Sequence, residues 1–273
     1  MRQAEDNPII NLSTRIRECI EVDRMIDPNI IGGALPPVDD GVTACLAYGG
    51  FDTATSWALS EIDAGRDARI IAYTNAQVQR YNRFIHERRF GALNECRFSV
   101  SEIVIAHQSF DALDSYLKPI SIHTSEELEV LDTTRERHPK WPKIPAHKIK
   151  LKRDGGAVAF AFVADDQPQL DAATGKGFAD WRRLKRESER EEVAGSHLRA
   201  SQLALDAKTW AMRKSFAPLR HAYAITVHKS QGSAFDTALI DYANLSKIKN
   251  VFDFNRALYV AITRTRKYLA VVI

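Results

Sequence analysis

The sequence has few cysteines and no long apolar run. Its three cysteines, Cys19, Cys45 and Cys96, are scattered and form no CxxC pair. This spacing predicts neither a zinc site nor a disulfide framework, and we expect no metal ion to bind this chain. No apolar run approaches the ~18 residues that suggest a membrane span, so no membrane partner is expected. A reducing, cytoplasmic environment fits these features best.

The sequence also lacks the segments that hold nucleotide phosphates. A phosphate loop, GxxxxGK[ST], uses backbone amides and a lysine for this purpose. The only Gly-Lys pair is Gly175-Lys176, and no glycine stands five residues before it. No Asp-Glu pair follows an apolar run, where it would hold Mg²⁺. We therefore expect that the chain by itself assembles no ordinary site for ATP hydrolysis.

The net charge of +3 is unevenly distributed along the 273 residues. Residues 135–153 contain eight lysines and arginines and one acid, Glu136. Such a local excess predicts contacts with a phosphate backbone, with Trp141 as a candidate stacking platform for bases. The alternative is a solvated edge or loop of a β-domain, and the sequence favours neither.

Hydrophobic residues make up 45% of the chain, which predicts a packed core. Asn7-Pro8 is typical of a helix start. Residues 30–41 are rich in glycine and proline and predict a loop. Short apolar runs then alternate with helical patterns, which favours a parallel α/β sheet. The predicted strands are 42–49, 68–75, 221–228, 237–242 and 267–273, and the predicted helices are 53–65, 76–91 and 252–266.

The pattern changes between about residue 97 and residue 213. Strand-like runs at 101–108, 118–132 and 156–165 follow one another without intervening helices and predict a small antiparallel β-module. A charged helical stretch at 177–213 follows. The predicted fold class is therefore α/β: one parallel-sheet domain, 1–96 with 214–273, interrupted by a β-rich insertion with a helical segment, 97–213.

The first candidate site is AITVHKSQGSAFD, residues 224–236. A buried strand leads into a polar turn, and ligands bind at the carboxyl ends of strands in open α/β sheets. Gly232 would allow backbone to approach a ligand closely. The alternative is an ordinary turn between a strand and a helix.

The second candidate site is RALYVAITRTRKYLAVVI, residues 256–273. We expect Arg264 and Arg266 in the last helical turn, where they suit the helix dipole. The functional alternative is an arginine that reaches a phosphate on a neighbouring domain.

Together, HKSQG and the later LYVAITRTR resemble motifs V and VI of superfamily 1 helicases, with the closest fit to the RecD-like and Dda-like branch. AYTNAQVQRYN, residues 72–82, resembles motif IV, and RQAEDNPI at the start resembles the segment after motif III. The resemblance implies a RecA-like domain 2A, a second lobe of the P-loop NTPase type, for 1–96 and 214–273. It implies an SH3-like domain 2B for 97–213.

The resemblance also implies roles for individual residues, and for each the alternative is hydrogen bonding within its own turn. Arg264 would be an arginine finger, and Arg2 a second contact to the γ-phosphate. The other implied residues are Gln231 and Gly232 beside the nucleotide, Thr226, His228, Lys229 and Ser230 between nucleotide and single-stranded DNA, and Thr74 and Asn75 at the DNA backbone. Many relatives carry a ribose-binding glutamate where this chain has Ala234.

The implied function is the C-terminal half of an ATP-dependent DNA helicase, a RecD-like 5′ to 3′ translocase in DNA repair or recombination. ATP and Mg²⁺ would be held mainly by a missing N-terminal lobe, and no cofactor is expected in this chain alone. Implied partners are that lobe, single-stranded DNA and further repair or recombination subunits. Three alternatives stand beside a fragment of a longer enzyme: a degenerate natural protein, a non-catalytic nucleic-acid-binding module and a protein-interaction domain.

Overall fold

The computed structural model describes residues 7–27, 43–91, 96–190 and 195–273. The chain divides into two compact units. Unit 1 comprises Met1–Ala92 and Ala222–Ile273, and unit 2 comprises Leu93–His221. Arg2 and the whole predicted loop 30–41 lie outside the described residues.

The helices and strands are numbered in chain order. The helices are α1 Pro8–Glu21, α2 Gly50–Asp63, α3 Asn75–Phe90, α4 Gln167–Arg190, α5 Gly195–Lys214, α6 Val227–Ser230, α7 Tyr242–Leu245 and α8 Val251–Ile262. The strands are β1 Thr43–Ala47, β2 Ala68–Ala72, β3 Ile103–Ala106, β4 Phe110–Leu113, β5 Pro119–Ile122, β6 Glu127–Arg135, β7 Ala146–Arg153, β8 Val158–Ala164, β9 Leu219–His221, β10 Ala224–Thr226, β11 Phe235–Asp241 and β12 Thr265–Val272.

Unit 1 is built on a parallel sheet with the strand order β1-β12-β11-β2-β10. Both faces are covered, which explains why β2 is buried along its whole length. One face packs against α1, α6, α7 and α8 through side chains such as Leu12 and Leu258. The other face packs against α2 and α3 through Ala58 and Tyr81. The predicted α/β class with a parallel sheet is confirmed.

Helix ends in unit 1 follow local chemistry. The Asn7 side chain caps α1 by accepting from the amides of Ile9 and Ile10, as the Asn-Pro start predicts. Helix α2 begins earlier than predicted because Gly49, at φ 109°, turns the chain sharply after β1. A Cβ on Gly49 would lie 2.3 Å from the hydroxyl oxygen of Thr53, so this position requires glycine.

Two expectations about the candidate segments are wrong. Residues 221–228 are not one strand, since β10 covers three residues and His228 lies on the short helix α6. Arg264 and Arg266 are not in the last turn of a helix, because α8 ends at Ile262 and β12 begins at Thr265. Pairing of β12 with β1 and β11 takes Arg266 into the sheet, and Arg264 lies in the turn between α8 and β12.

Unit 2 contains an antiparallel sheet with the strand order β5-β4-β8-β7-β6-β3-β9. The predicted antiparallel β-module is therefore present. Strand β7 was missed because five of its eight residues are lysine, arginine or histidine. It lies between β6 and β8 rather than at an edge. Helix α4 begins at Gln167, before the predicted start at Gly177. No helix within the described residues is long and apolar enough to cross a membrane.

Candidate nucleotide and nucleic-acid site

The carboxyl ends of β2 and β10 lie side by side in unit 1. Thr226 is paired in register with Ala72 in the parallel ladder. The residues that follow the two strands therefore lie at the same end of the sheet, where the carboxyl ends of the strands meet. They are Thr74 and Asn75 after β2 and His228 after β10. The structure thus brings the motif IV-like segment and the beginning of the motif V-like segment together.

The turn that carries Thr74 and Asn75 is held by a side chain from the neighbouring strand connection. The Asn244 Oδ1 accepts from the backbone amides of Tyr73 and Thr74, each at 2.9 Å. The Thr74 hydroxyl caps α3 by accepting from the Gln77 amide at 3.3 Å. Asn75 at the first helical position is exposed. Two residues were predicted to contact DNA here. Asn75 has an exposed side chain, whereas the Thr74 hydroxyl is used to cap the start of α3.

Asp241 connects three elements at this edge. Its carboxylate accepts from the Tyr81 hydroxyl at 2.8 Å, from the Gln77 side-chain amide at 3.0 Å and from the Asn244 backbone at 2.8 Å. Burial first, and then the nearby Asp241 carboxylate, raise the pKa of Tyr81, so its hydroxyl stays a donor. Sequence patterns did not single out Asp241 or Asn244, although Asp241 is the last residue of the buried strand β11 and Asn244 follows it closely.

Strand β10 is held from its open side by Asn82. The backbone N–H of Ala224 donates to the Asn82 side chain at 2.8 Å, and the side-chain amide donates back to the Ala224 carbonyl at 3.0 Å. Asn82 therefore takes the place of a neighbouring strand at the edge of the sheet. It belongs to the motif IV-like segment, but its contact with β10 follows only from the fold.

The sequence left two alternatives for the residues of α6 and its cap, a ligand contact or a hydrogen bond within their own turn, and the structure contains side chains suited to each. The Thr226 hydroxyl caps the helix by accepting from the Lys229 amide at 3.4 Å, and the buried Ser230 hydroxyl donates to the Val227 carbonyl at 2.7 Å. These two side chains hydrogen bond within their own turn. His228 is exposed and Lys229 is half-buried. His228 is therefore the exposed residue of this helix.

The nucleotide-side residues form a second group. Arg264 donates from Nη1 to the Ser233 carbonyl at 3.3 Å and from Nε to the Val260 carbonyl at 3.1 Å. The Arg264 carbonyl accepts from the Phe235 amide at 2.8 Å, which joins the starts of β11 and β12. Exposed Gly232, at φ 86°, lies in the turn just before Ser233. The structure therefore brings Arg264 to the turn that carries Gln231 and Gly232.

Part of unit 1 is similar to a known protein family. The fold of unit 1 is a parallel α/β sheet, and residues 221–272 match the family model of the UvrD-like helicase C-terminal domain. That segment contains α6, the Gly232 turn, α8 and Arg264. It is therefore similar to the C-terminal domain of UvrD-like helicases.

Individual relatives cover more of the chain. An uncharacterized protein of Methanocaldococcus jannaschii is 31% identical over 142 residues, which are 51% of this chain and 10% of that protein. A Bacteroides Pif1 helicase solved with ADP-AlF3 and single-stranded DNA covers 99% of this chain and 50% of its own, at 14% identity and a TM-score of 0.42. The Candida albicans Pif1 helicase covers 94% of this chain and 53% of its own, at 13% identity and a TM-score of 0.36. The chain thus spans about half the length of these helicases and a tenth of the archaeal protein.

Proposed function

We propose that the chain is the C-terminal half of an ATP-dependent DNA helicase. The observation that carries the proposal is the contact between Arg264 and the backbone of the HKSQGS turn, inside the segment that matches the UvrD-like domain. An arginine beside a glycine-containing turn is suited to an anionic ligand, because its guanidinium offers a planar set of donors. In this proposal, unit 1 is domain 2A and unit 2 is domain 2B.

Arg264 and Arg2 would act on the γ-phosphate of ATP held by an N-terminal lobe with Mg²⁺. The Arg264 guanidinium donates to the backbone oxygens of Ser233 and Val260 and to the Thr263 hydroxyl. These contacts preorganise the side chain, and it would exchange at least one of them for a phosphate oxygen when the lobes close. A positioned arginine of this kind contributes about 10³–10⁵ in rate. Gln231 and Gly232 would lie beside the nucleotide.

The shared edge of β2 and β10 would hold the single-stranded DNA. Asn75 and the amino end of α3 would meet the backbone, while Thr226, His228, Lys229 and Ser230 would link this edge to the Gly232 turn. Because α6 joins β10 to the Gly232 turn along the chain, a shift of that helix would change both. We further propose a RecD-like, 5′ to 3′ translocase that acts in DNA repair or recombination in the cytoplasm.

The test uses the full-length protein and two matched arginine variants. We expect Arg264→Ala to lower DNA-stimulated ATP hydrolysis by at least about a thousandfold, with little change in the affinity for oligo-dT. Arg266→Ala is the control, since Arg266 is exposed and lies 4.0 Å from Asp236. It should retain most of the activity. Near-normal hydrolysis by Arg264→Ala would falsify the role of that arginine.

A further inference from the structure

The connection between β6 and β7 in unit 2 contains an unusual repeat. Residues 137–145 read RHP-KWP-KIP, so a cation, a bulky side chain and a proline recur three times. The sequence alone shows only a basic stretch. The backbone hydrogen bonds of this loop explain the period of three.

The loop consists of two consecutive β-turns. The Trp141 amide donates to the His138 carbonyl at 3.2 Å, and the Ile144 amide donates to the Trp141 carbonyl at 3.1 Å. Each turn therefore has proline as its second residue and lysine as its third. Proline at the second position restricts the backbone to the geometry that such a turn needs. The repeat builds a rigid loop with a lysine in each turn.

The bulky residues of the repeat are anchors. His138 is only 7% exposed, and its Nδ1 accepts from the amides of Lys140 and Trp141 at 3.1 and 3.2 Å. The Trp141 indole donates to the Ser215 hydroxyl at 3.1 Å, and Ile144 is buried in the same small core. Trp141 is thus packed and hydrogen bonded rather than free to stack on bases, and the expectation of a stacking platform is not supported by its contacts.

The cations of the repeat point away from these anchors. Arg137, Lys140 and Lys143 are exposed, and none of the three makes a salt bridge within the part of the chain that the structure describes. The basic residues of β7 differ. Lys148 lies 3.6 Å from Glu136, Lys152 lies 2.9 Å from Glu129, and Arg153 lies 2.6 Å from Glu126. Of the eight cations in residues 135–153, three on β7 are therefore paired, whereas the three of the loop make no salt bridge within the described residues.

We propose that Arg137, Lys140 and Lys143 form a cationic ridge that binds the phosphodiester backbone of single-stranded nucleic acid. A rigid turn beneath each lysine lowers the entropy that is lost when the side chains are ordered on a ligand. Three unpaired cations in a row suit a chain of regularly spaced phosphates, and contacts to phosphates are independent of base sequence. The choice of nucleic acid as partner rests on the proposed function, whereas the location of the ridge does not.

The test compares two charge-matched triple variants of this chain. The ridge variant carries Arg137→Gln, Lys140→Gln and Lys143→Gln, and the control carries Lys148→Gln, Lys150→Gln and Lys152→Gln. Binding of fluorescein-labelled oligo-dT is followed by anisotropy as the salt concentration is raised. Each single-strand phosphate contact contributes about 0.7 to the slope of log affinity against log salt, so the ridge variant should lose about 2 from that slope. It should bind roughly a hundredfold more weakly at about 0.1 M salt.

The control should keep most of the wild-type slope, and both variants should keep the wild-type thermal transition. The double variant Pro139→Ala and Pro142→Ala retains every cation and should bind more weakly with an unchanged slope. An unchanged slope in the ridge variant, an equal loss in the control, or no oligo-dT binding by the wild type overturns the proposal. Equal competition by a duplex of the same length overturns the assignment to single strands. None of these results bears on the Arg264 test, which is read as ATP hydrolysis in the full-length protein.

Discussion

At the scale of single residues, the most informative side chains are amides rather than charged groups. Asn82 and Asn244 each bond to backbone atoms of a different element: Asn244 fixes the turn after β2 at the candidate site, and Asn82 fixes the start of β10. Amides suit this work because they offer a donor and an acceptor without the desolvation cost of a charge. The residues that resemble catalytic motifs are thus supported by Asn244, which lies outside the motif-like segments, and by Asn82, which ends the motif IV-like segment.

Asn82 provides a direct test of this support. Asn82→Ala leaves the buried N–H and C=O of Ala224 without partners, so the free energy of unfolding should fall by about 2–4 kcal/mol in urea titrations. The control is Asn75→Ala, the same substitution at an exposed position of the same helix, which should stay within about 0.5 kcal/mol of the wild type. If Asn82→Ala were as stable as the control, water or a rearranged strand would be replacing the contact.

At the scale of elements, α2 is tied to the sheet by one carboxylate. Glu61 is 6% exposed and accepts from Arg66 at 2.7 Å and from the Thr237 hydroxyl on β11 at 2.8 Å. The hydrogen bond from Arg66, helped by Thr237, outweighs burial and lowers the pKa of Glu61. The carboxylate therefore stabilises the fold in its ionised form.

This lowered pKa predicts a pH dependence of stability. Below the ordinary glutamate pKa of 4.5, the unfolded chain takes up a proton more readily than the folded one. The stabilisation from Glu61 is therefore complete above that pH and is lost as the pH falls through its lowered folded value. In urea titrations between about pH 6 and pH 3, Glu61→Gln should show a smaller loss of stability than the wild type. Exposed Glu87→Gln should follow the wild-type curve, and parallel curves for all three proteins would contradict the prediction.

Element types were easier to predict than element ends. Helix α1 begins where Asn7-Pro8 indicates, because capping is a local interaction. Helix α8 ends sooner than its apolar pattern suggests, because β12 gains its hydrogen bonds from β1 and β11, which are distant in sequence. Strand β7 was missed for a related reason. Its alternating buried and charged residues form a strand because they pair with β6, and that partner is not visible from the segment itself.

At the scale of the whole molecule, the proposal predicts an incomplete enzyme. The sequence contains no phosphate loop, so the purified chain should hydrolyse no ATP above background, with or without oligo-dT. Addition of a separately purified N-terminal lobe from the same protein should restore DNA-stimulated hydrolysis, and the Arg264→Ala chain should not. Hydrolysis by the chain alone, surviving further purification, would show that another site holds the nucleotide.

The sequence by itself determined the α/β class, the antiparallel module and the resemblance of two short segments to helicase motifs. It did so because burial periodicity and turn chemistry are local. Only the tertiary structure decided that Arg264 meets the Gly232 turn and that Asn82 holds β10. It also decided that Lys148 and Lys152 of the basic stretch are paired, whereas the ridge makes no salt bridge within the described residues. Those outcomes depend on partners far apart in sequence. The energetic contribution of a charged side chain depends on the groups that face it.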